Sequence, residues 1–248
     1  MIKLWQRKKK DIPAVIAFMA VTAALVFASI WAYREFISSP PFVDPERYPI
    51  RGIDVSRHNG MMNLDAAAAD GIEFIFIKAS EGVSLKDSNF HFNYDKAGHA
   101  GMKRGAYHFF RFDKDGIDQA RNFLDAIGNK KLEIGVAIDV EDHGNATGVA
   151  PELIARRLSD MVDYLILKGY RVMFYTNREG YEKYLMDTYP GSPLWICHFS
   201  EMPFDADWTF WQFDHHAKVK GIPGEVDMNV FVGSRDDWNE YLRTMSME

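Results

Sequence analysis

A chain of 248 residues, 47% hydrophobic and 14% aromatic, has enough apolar side chains for one well-cored domain plus a short appendage and too few for two full domains. Five basic residues and one aspartate fall within positions 1–11, so a formal charge of −6 for the whole leaves −10 on the remainder, which argues against nucleic acid as a partner. Cys197 is the one cysteine, so no intramolecular disulfide forms; it reads as a small buried strand residue rather than a nucleophile.

Taken in chain order, residues 1–11 form a basic tail with Lys3, Arg7, Lys8, Lys9 and Lys10. From Ile12 to Tyr33 follow 22 residues without charge, at about 1.5 Å each enough to cross the roughly 30 Å hydrocarbon core of a bilayer. This predicts a single transmembrane helix over 12–33, with the N-terminus cytoplasmic by the positive-inside rule and the remainder outside. A cleavable signal peptide is the competing reading; its apolar run would be shorter, about 7–15 residues, and Ile30-Trp31-Ala32 is a poor cleavage site. Residues 34–50 hold Pro40, Pro41, Pro45 and Pro49 and read as an extended spacer, leaving 51–248 as the folded domain.

Within that domain, runs rich in branched and aromatic residues predict eight strands, at 51–56, 73–79, 104–110, 134–140, 171–176, 194–199, 208–213 and 226–231. Two helices stand out. Pro151 opens one that runs to Lys168, with Ile154, Leu158, Met161, Val162 and Leu165 on one face and Gly169 as its stop; the other spans about Ile117 to Ile127 and closes at Gly128. Intervals between the first six strands leave room for crossover helices, whereas the last two are short. The last strands are therefore expected to pair antiparallel or through irregular loops, giving an α/β fold with an incomplete barrel whose site lies at the carboxyl ends of the strands.

Those ends carry Asp54, Lys78 with Glu81, Tyr107 with His108, Asp139 with Glu141, Tyr175, Trp195 and, at a strand start, Asp227. In IGVAIDVED an apolar strand runs into carboxylates at i and i+2, which point the same way, about 6.6 Å apart along the strand. Two such carboxylates beside Val136 and Ile138 repel and are partly desolvated, which raises one proton affinity and makes a proton donor near neutral pH. A solvated loop start is the competing reading for Asp139, Glu141 and Asp142. Asp54 and Asp227 tip the balance, because each interrupts an apolar run where an unpaired carboxylate costs several kcal/mol. Trp195, Trp208, Trp211, Tyr107 and Tyr175 suit a sugar site through stacking, although for each alone a core position is the ordinary expectation. His58, His108, His198, His215 and His216 lack metal-ligand spacing and read as cleft or surface residues. For Lys78 a structural ion pair with Glu81 competes with a role in the site.

Taken together, RGIDVSRHNG, FIFIKASEG, RGAYHFF, the AIDVE run, GYRVMFYTN, PLWICHF and WTFWQF with GIPGEVDMNVF, in that order over about 51–234, resemble the glycoside hydrolase family 25 lysozymes. The resemblance implies an irregular TIM-like (β/α)5β3 barrel of eight strands and five helices. It also implies an N-acetylmuramidase that hydrolyses the β-1,4 bond between N-acetylmuramic acid and N-acetylglucosamine in peptidoglycan. It makes Glu141 the general acid and Asp139 its partner, with Asp54 and Asp227 as supporting acids. Tyr107, Tyr175 and Trp195 become sugar or acetamido contacts, with Lys78, Glu81 and Gln212 as further substrate-binding positions. Retention of configuration through attack by the substrate's own acetamido group is implied, with no metal or organic cofactor. Peptidoglycan strands are the expected partner, the membrane is engaged through the N-terminal helix, and the chain is expected to be monomeric. Cys197 and Phe199 depart from the family's usual alanine and tyrosine, and His58-Asn59 from its usual aromatic or glutamine. A catalytically silent glycan-binding barrel and a metal-dependent hydrolase are the alternatives.

Overall fold

The computed structural model describes residues 18–27, 29, 41–199 and 207–246. It divides into two units, 1–40 and 41–248. Of the predicted membrane span, residues 18–27 and 29 are helical and exposed where described; the rest of that span lies outside the described residues. Among the described residues no helix is long and apolar enough to cross a membrane.

In the second unit the strands are β1 (Arg51–Val55), β2 (Ile72–Glu81), β3 (Leu85–Lys86), β4 (Lys103–Phe109), β5 (Val136–Asp139), β6 (Val172–Asn177), β7 (Leu194–Cys197), β8 (Phe210–Ala217) and β9 (Val226–Phe231). Eight of them close in the order β1-β2-β4-β5-β6-β7-β8-β9 and back to β1, while β3 only makes a short hairpin on β2. The eight strands expected from the sequence thus close into one barrel, and it is incomplete only in that its last strands do not all follow the parallel βα pattern. Neighbours from β1 to β8 run parallel, and β9 alone reverses, antiparallel to both β8 and β1. The parallel β7–β8 pair overturns the expectation for that connection. Its strands stop at Cys197 and resume at Phe210, which makes the link longer than the predicted boundaries allowed and long enough for a crossover.

Strand alternation sorts the side chains into two layers. On β5, Val136 and Ile138 face the surrounding helices, as does Val140 just after it, while Ala137 faces the barrel axis. Phe74, Phe76, Trp195, Phe210 and Phe231 fill the axis, and the Arg235–Ser246 helix adds Trp238 and Tyr241 to the same cluster. The Trp238 ring lies against Phe74, Phe210 and Phe231, and the Tyr241 hydroxyl donates to Ile134 O at 3.1 Å just before β5. That helix thus plugs the end of the barrel opposite the carboxyl ends of the parallel strands. Gly52 and Gly105 are required where they stand, since a Cβ at either would run into the Phe74 or Phe76 ring.

The Pro151–Leu167 helix is as predicted, burying Ile154, Leu158, Met161, Val162 and Leu165, and the Gly116–Ile127 helix packs beside it. Three helices that the sequence reading had not placed are Leu64–Ala69 and Phe90–His99, which occupy intervals expected to hold crossover helices, and Arg235–Ser246. The end of the predicted spacer also belongs to the fold. Tyr48 and Ile50 are buried, with the Tyr48 ring against Trp208 and Trp211. Those two tryptophans therefore pack on the outside of the barrel and take no part in the cleft.

Candidate active site

A cleft of about 760 Å³ opens at the carboxyl ends of the parallel strands. Asp54, Lys78, Tyr107, Asp139, Tyr175, Cys197 and Gln212 reach it from β1, β2, β4, β5, β6, β7 and β8, and Asp227 reaches it from the start of the reversed β9. Glu141 joins them from two residues beyond β5. All four acids singled out in the sequence thus share one cavity: Asp54 and Asp139 stand at the carboxyl ends of their strands, Glu141 just past one, and Asp227 at the start of the reversed β9, which lies at the same end of the barrel.

Their environments differ. Asp54 is buried and accepts from Gln212 Nε2 at 2.7 Å and Asn229 Nδ2 at 2.8 Å. Burial outweighs these hydrogen bonds and lifts its pKa to about 6. Asp227 lies directly across the β1–β9 ladder from Asp54; burial first, and then the Asp54 charge, push it up to about 8. Asp139 is buried, its Oδ1 has no hydrogen-bond partner, and burial together with the Glu141 charge holds it well above the ordinary carboxylate range. Glu141 is raised by burial, with His143 and Lys78 pulling the other way. Burial and the mutual repulsion of these carboxyls keep them from all ionising at neutral pH, so the cluster retains protons there.

The remaining candidates divide between the cleft and its surroundings. Tyr175 donates its hydroxyl to Gln212 Oε1 at 2.8 Å, and burial raises both Tyr107 and Tyr175 well above the ordinary phenol range, so both stay neutral donors. Trp195 forms the floor rather than an open platform: its ring is 1% exposed, stacks on Phe76 at 4.2 Å and donates Nε1 to Asn229 Oδ1 at 2.7 Å. Lys78 lines the cleft and pairs with Glu81 at 2.7 Å. Glu81 stands behind it, bonded also to Arg111, and is absent from the cleft lining. Cys197 faces the cleft on β7 instead of the core, but burial drives its thiol up to about 12, so it is no nucleophile.

His108 points away from the cleft. It is buried between Ser80 Oγ at 2.8 Å and Gln119 Oε1 at 3.3 Å, and burial pulls it down to about 4. His58 and His215 do line the rim. Sequence reading missed Asn229, which bridges Asp54 and Trp195, and the rim residues Phe109, His143 and Asn177. A polar amide interrupting VDMNVF was the available signal for Asn229. Among the described residues no three histidine, cysteine or acidic side chains are placed to hold a metal ion.

Raised acids bind protons more tightly folded than unfolded, where aspartate titrates near 3.8. Folding therefore takes up protons on the way down from about pH 8, and the stability contribution of Asp227 falls as pH rises through its folded value. Buried His108, held down, opposes this only below its ordinary value of 6.5. The melting temperature is expected to fall between about pH 6.5 and 8, and Asp227→Asn to remove much of that fall. An unchanged slope in the variant would contradict the burial of this charge.

A family model described as glycosyl hydrolases family 25 matches residues 53–222. The autolytic lysozyme of Clostridium acetobutylicum is 34% identical over 184 residues, covering 73% of this chain and 56% of that protein, so the chain spans little more than half of that relative. Lysozyme M1 of Streptomyces globisporus is 32% identical over 204 residues, covering 75% of this chain and 68% of that one. The structure of a family 25 glycosyl hydrolase from Bacillus anthracis superposes with a TM-score of 0.75 at 31% identity, covering 82% of this chain and 97% of that one.

Proposed function

We propose that this chain, which belongs to glycosyl hydrolases family 25, is a muramidase that hydrolyses the β-1,4 bond between N-acetylmuramic acid and N-acetylglucosamine in peptidoglycan. The observation that carries the reading is the gathering of Asp54, Asp139, Glu141 and Asp227 around one cleft in which burial raises the proton affinity of each. A barrel that only binds glycan has no use for four acids in a dry cavity, since each costs folding free energy.

In the mechanism, Glu141 is the proton donor and Asp139 the partner that steadies the substrate. The acetamido carbonyl oxygen attacks C1 of the muramic acid, the C1–O bond to the next sugar breaks, and the Glu141 proton goes to the departing oxygen. The positive charge left on the oxazolinium nitrogen and its N–H faces the Asp139 carboxylate, whose unpartnered Oδ1 supplies the free acceptor. Water then attacks C1 from the side the leaving sugar vacated, the C1–O bond of the oxazolinium ring breaks to restore the acetamido group, Glu141 takes the proton of the water, and the configuration is retained. Asp54 is fixed by Gln212 and Asn229, and Gln212 in turn takes the Tyr175 hydroxyl, so Asp54, Gln212 and Tyr175 form one wall of the site. We assign Tyr107, Tyr175, Lys78 and Gln212 to contacts with the sugar and its acetamido group.

Mass spectrometry of fragments from digested peptidoglycan tests the bond. Muramic acid at the reducing ends is expected, and glucosamine there would replace the reading with a glucosaminidase. Chelator is expected to leave turnover unchanged; its loss, restored by a divalent cation, would favour a metal-dependent hydrolase. The 22 uncharged residues from Ile12 to Tyr33, preceded by five basic residues, support an uncleaved anchor that keeps the enzyme at the outer face of the cytoplasmic membrane. Retention of the full chain in alkali-washed membranes is expected, and a shortened chain in the medium would mean signal cleavage instead.

A further inference from the structure

Glu141 lies beyond the last residue of β5, so the strand ladder that fixes Asp139 does not reach it. What fixes it is a side-chain amide four residues on. Asn145 Nδ2 donates to Glu141 O at 2.9 Å and to Phe110 O at 2.9 Å, and its Oδ1 accepts from Phe112 N at 2.9 Å. Both amide hydrogens are used, and the partners, two carbonyls and one N–H, fix which way the amide points. Phe110 holds the other acid as well, because its own N–H donates to Asp139 O at 3.0 Å. One residue past the end of β4 therefore sets the backbone positions of Asp139 and Glu141 relative to each other, directly for the first and through Asn145 for the second. The turn is held on its other side too: the Arg111 guanidinium donates to Gly144 O, and Asp142 accepts from Lys183 Nζ at 3.0 Å and from the Tyr184 hydroxyl at 2.8 Å.

We propose that Asn145 is a positioning residue for the reaction, tying the Glu141 backbone to Phe110 so that the Glu141 carboxyl stands at a fixed offset from Asp139 over the cleft. The inference rests on the assignment of Glu141 as proton donor. Asn145 touches neither substrate nor reacting atoms; it acts through Glu141 alone. Proton transfer in the transition state is sensitive to placement, and a shift of about 1 Å costs on the order of 100-fold in rate. A substrate whose leaving group departs without being protonated escapes that dependence.

The test compares two substrates in single turnovers: peptidoglycan glycan strands, and a β-dinitrophenyl glycoside of the N-acetylglucosaminyl-N-acetylmuramic acid disaccharide, which loses dinitrophenolate unaided by acid. Asn145→Ala is expected to slow bond cleavage in glycan strands by about 100-fold at saturating enzyme, with the half-saturating enzyme concentration little changed, and to slow dinitrophenolate release by less than about threefold. Asn145→Asp keeps the acceptor for Phe112 N–H but has no hydrogens to give, and is expected to behave like the alanine variant. Circular dichroism and the melting temperature of each variant report its folded fraction, so a variant that folds poorly is still read. Glu141→Gln, run in parallel, is expected to show the same selectivity with a larger loss on glycan strands. Equal losses on both substrates for the Asn145 variants, or no loss on either, while Glu141→Gln remains selective, would overturn the positioning role. Equal losses for Glu141→Gln would overturn the proton-donor assignment itself.

Discussion

Glu141→Gln is expected to lower kcat on purified peptidoglycan by about 100- to 10,000-fold, the range that general acid catalysis supplies, while the melting temperature and glycan binding stay near wild type. The amide keeps the shape of the carboxyl and cannot give up a proton to the departing sugar oxygen. The alternative donors are worse placed. Asp54 is engaged by Gln212 and Asn229, and Asp227 stands across the β1–β9 ladder from it. Glu141 alone enters the cleft from outside the sheet, where a bound glycan strand would pass. Turnover close to wild type in this variant would remove Glu141 from the mechanism.

Asp139→Asn is expected to lower kcat by roughly 100- to 1,000-fold, since it removes a preorganised charge at the point where positive charge develops. In the empty cleft burial and the Glu141 charge favour protonation of Asp139, so the two acids compete for protons. An acetamido N–H donating to the unpartnered Asp139 Oδ1 would reverse that preference, because a hydrogen bond to the ionised form stabilises it. Substrate binding would then leave Asp139 charged and the proton on Glu141, which is the arrangement the first step needs. Measured turnover and the anomeric form of the first product check this. Ordinary turnover by the asparagine variant would argue against participation of the acetamido group.

Much of this was legible in the sequence, and the exceptions have separate causes. Strands rich in Ile, Val and Phe between polar breaks were found within a few residues of their ends, and the four acids declared themselves by ending or interrupting those runs. The direction of β8 was not readable: the β7–β8 connection depends on where each strand stops, and two residues at either end decide whether a parallel crossover fits. Phe90–His99 offers only a narrow stripe, burying Phe90, Asn93, Tyr94 and Ala97, whereas Arg235–Ser246 sets Trp238, Tyr241, Leu242 and Met245 at helical spacing among charged residues and drives Trp238 and Tyr241 into the barrel, a signal that was readable and was passed over. Alternation alone would have turned His108 away from the cleft, since Tyr107 beside it faces inward. Asn229 and Asn145 were invisible for a different reason. An amide acquires its role only from partners, and Asn229 meets Asp54 across 175 positions of chain, which no local pattern reports.

The account depends on carboxyl protons retained in the cleft near neutral pH, and a carbon-13 NMR titration of the side-chain carboxyls measures them directly. Wild-type protein should show cleft carboxyls titrating well above the ordinary value of about 4, including one near pH 8 that disappears in Asp227→Asn and one above the ordinary range that disappears in Glu141→Gln. If every carboxyl titrated below about pH 5, the cleft would hold no proton to give at neutral pH and the assigned chemistry would be wrong.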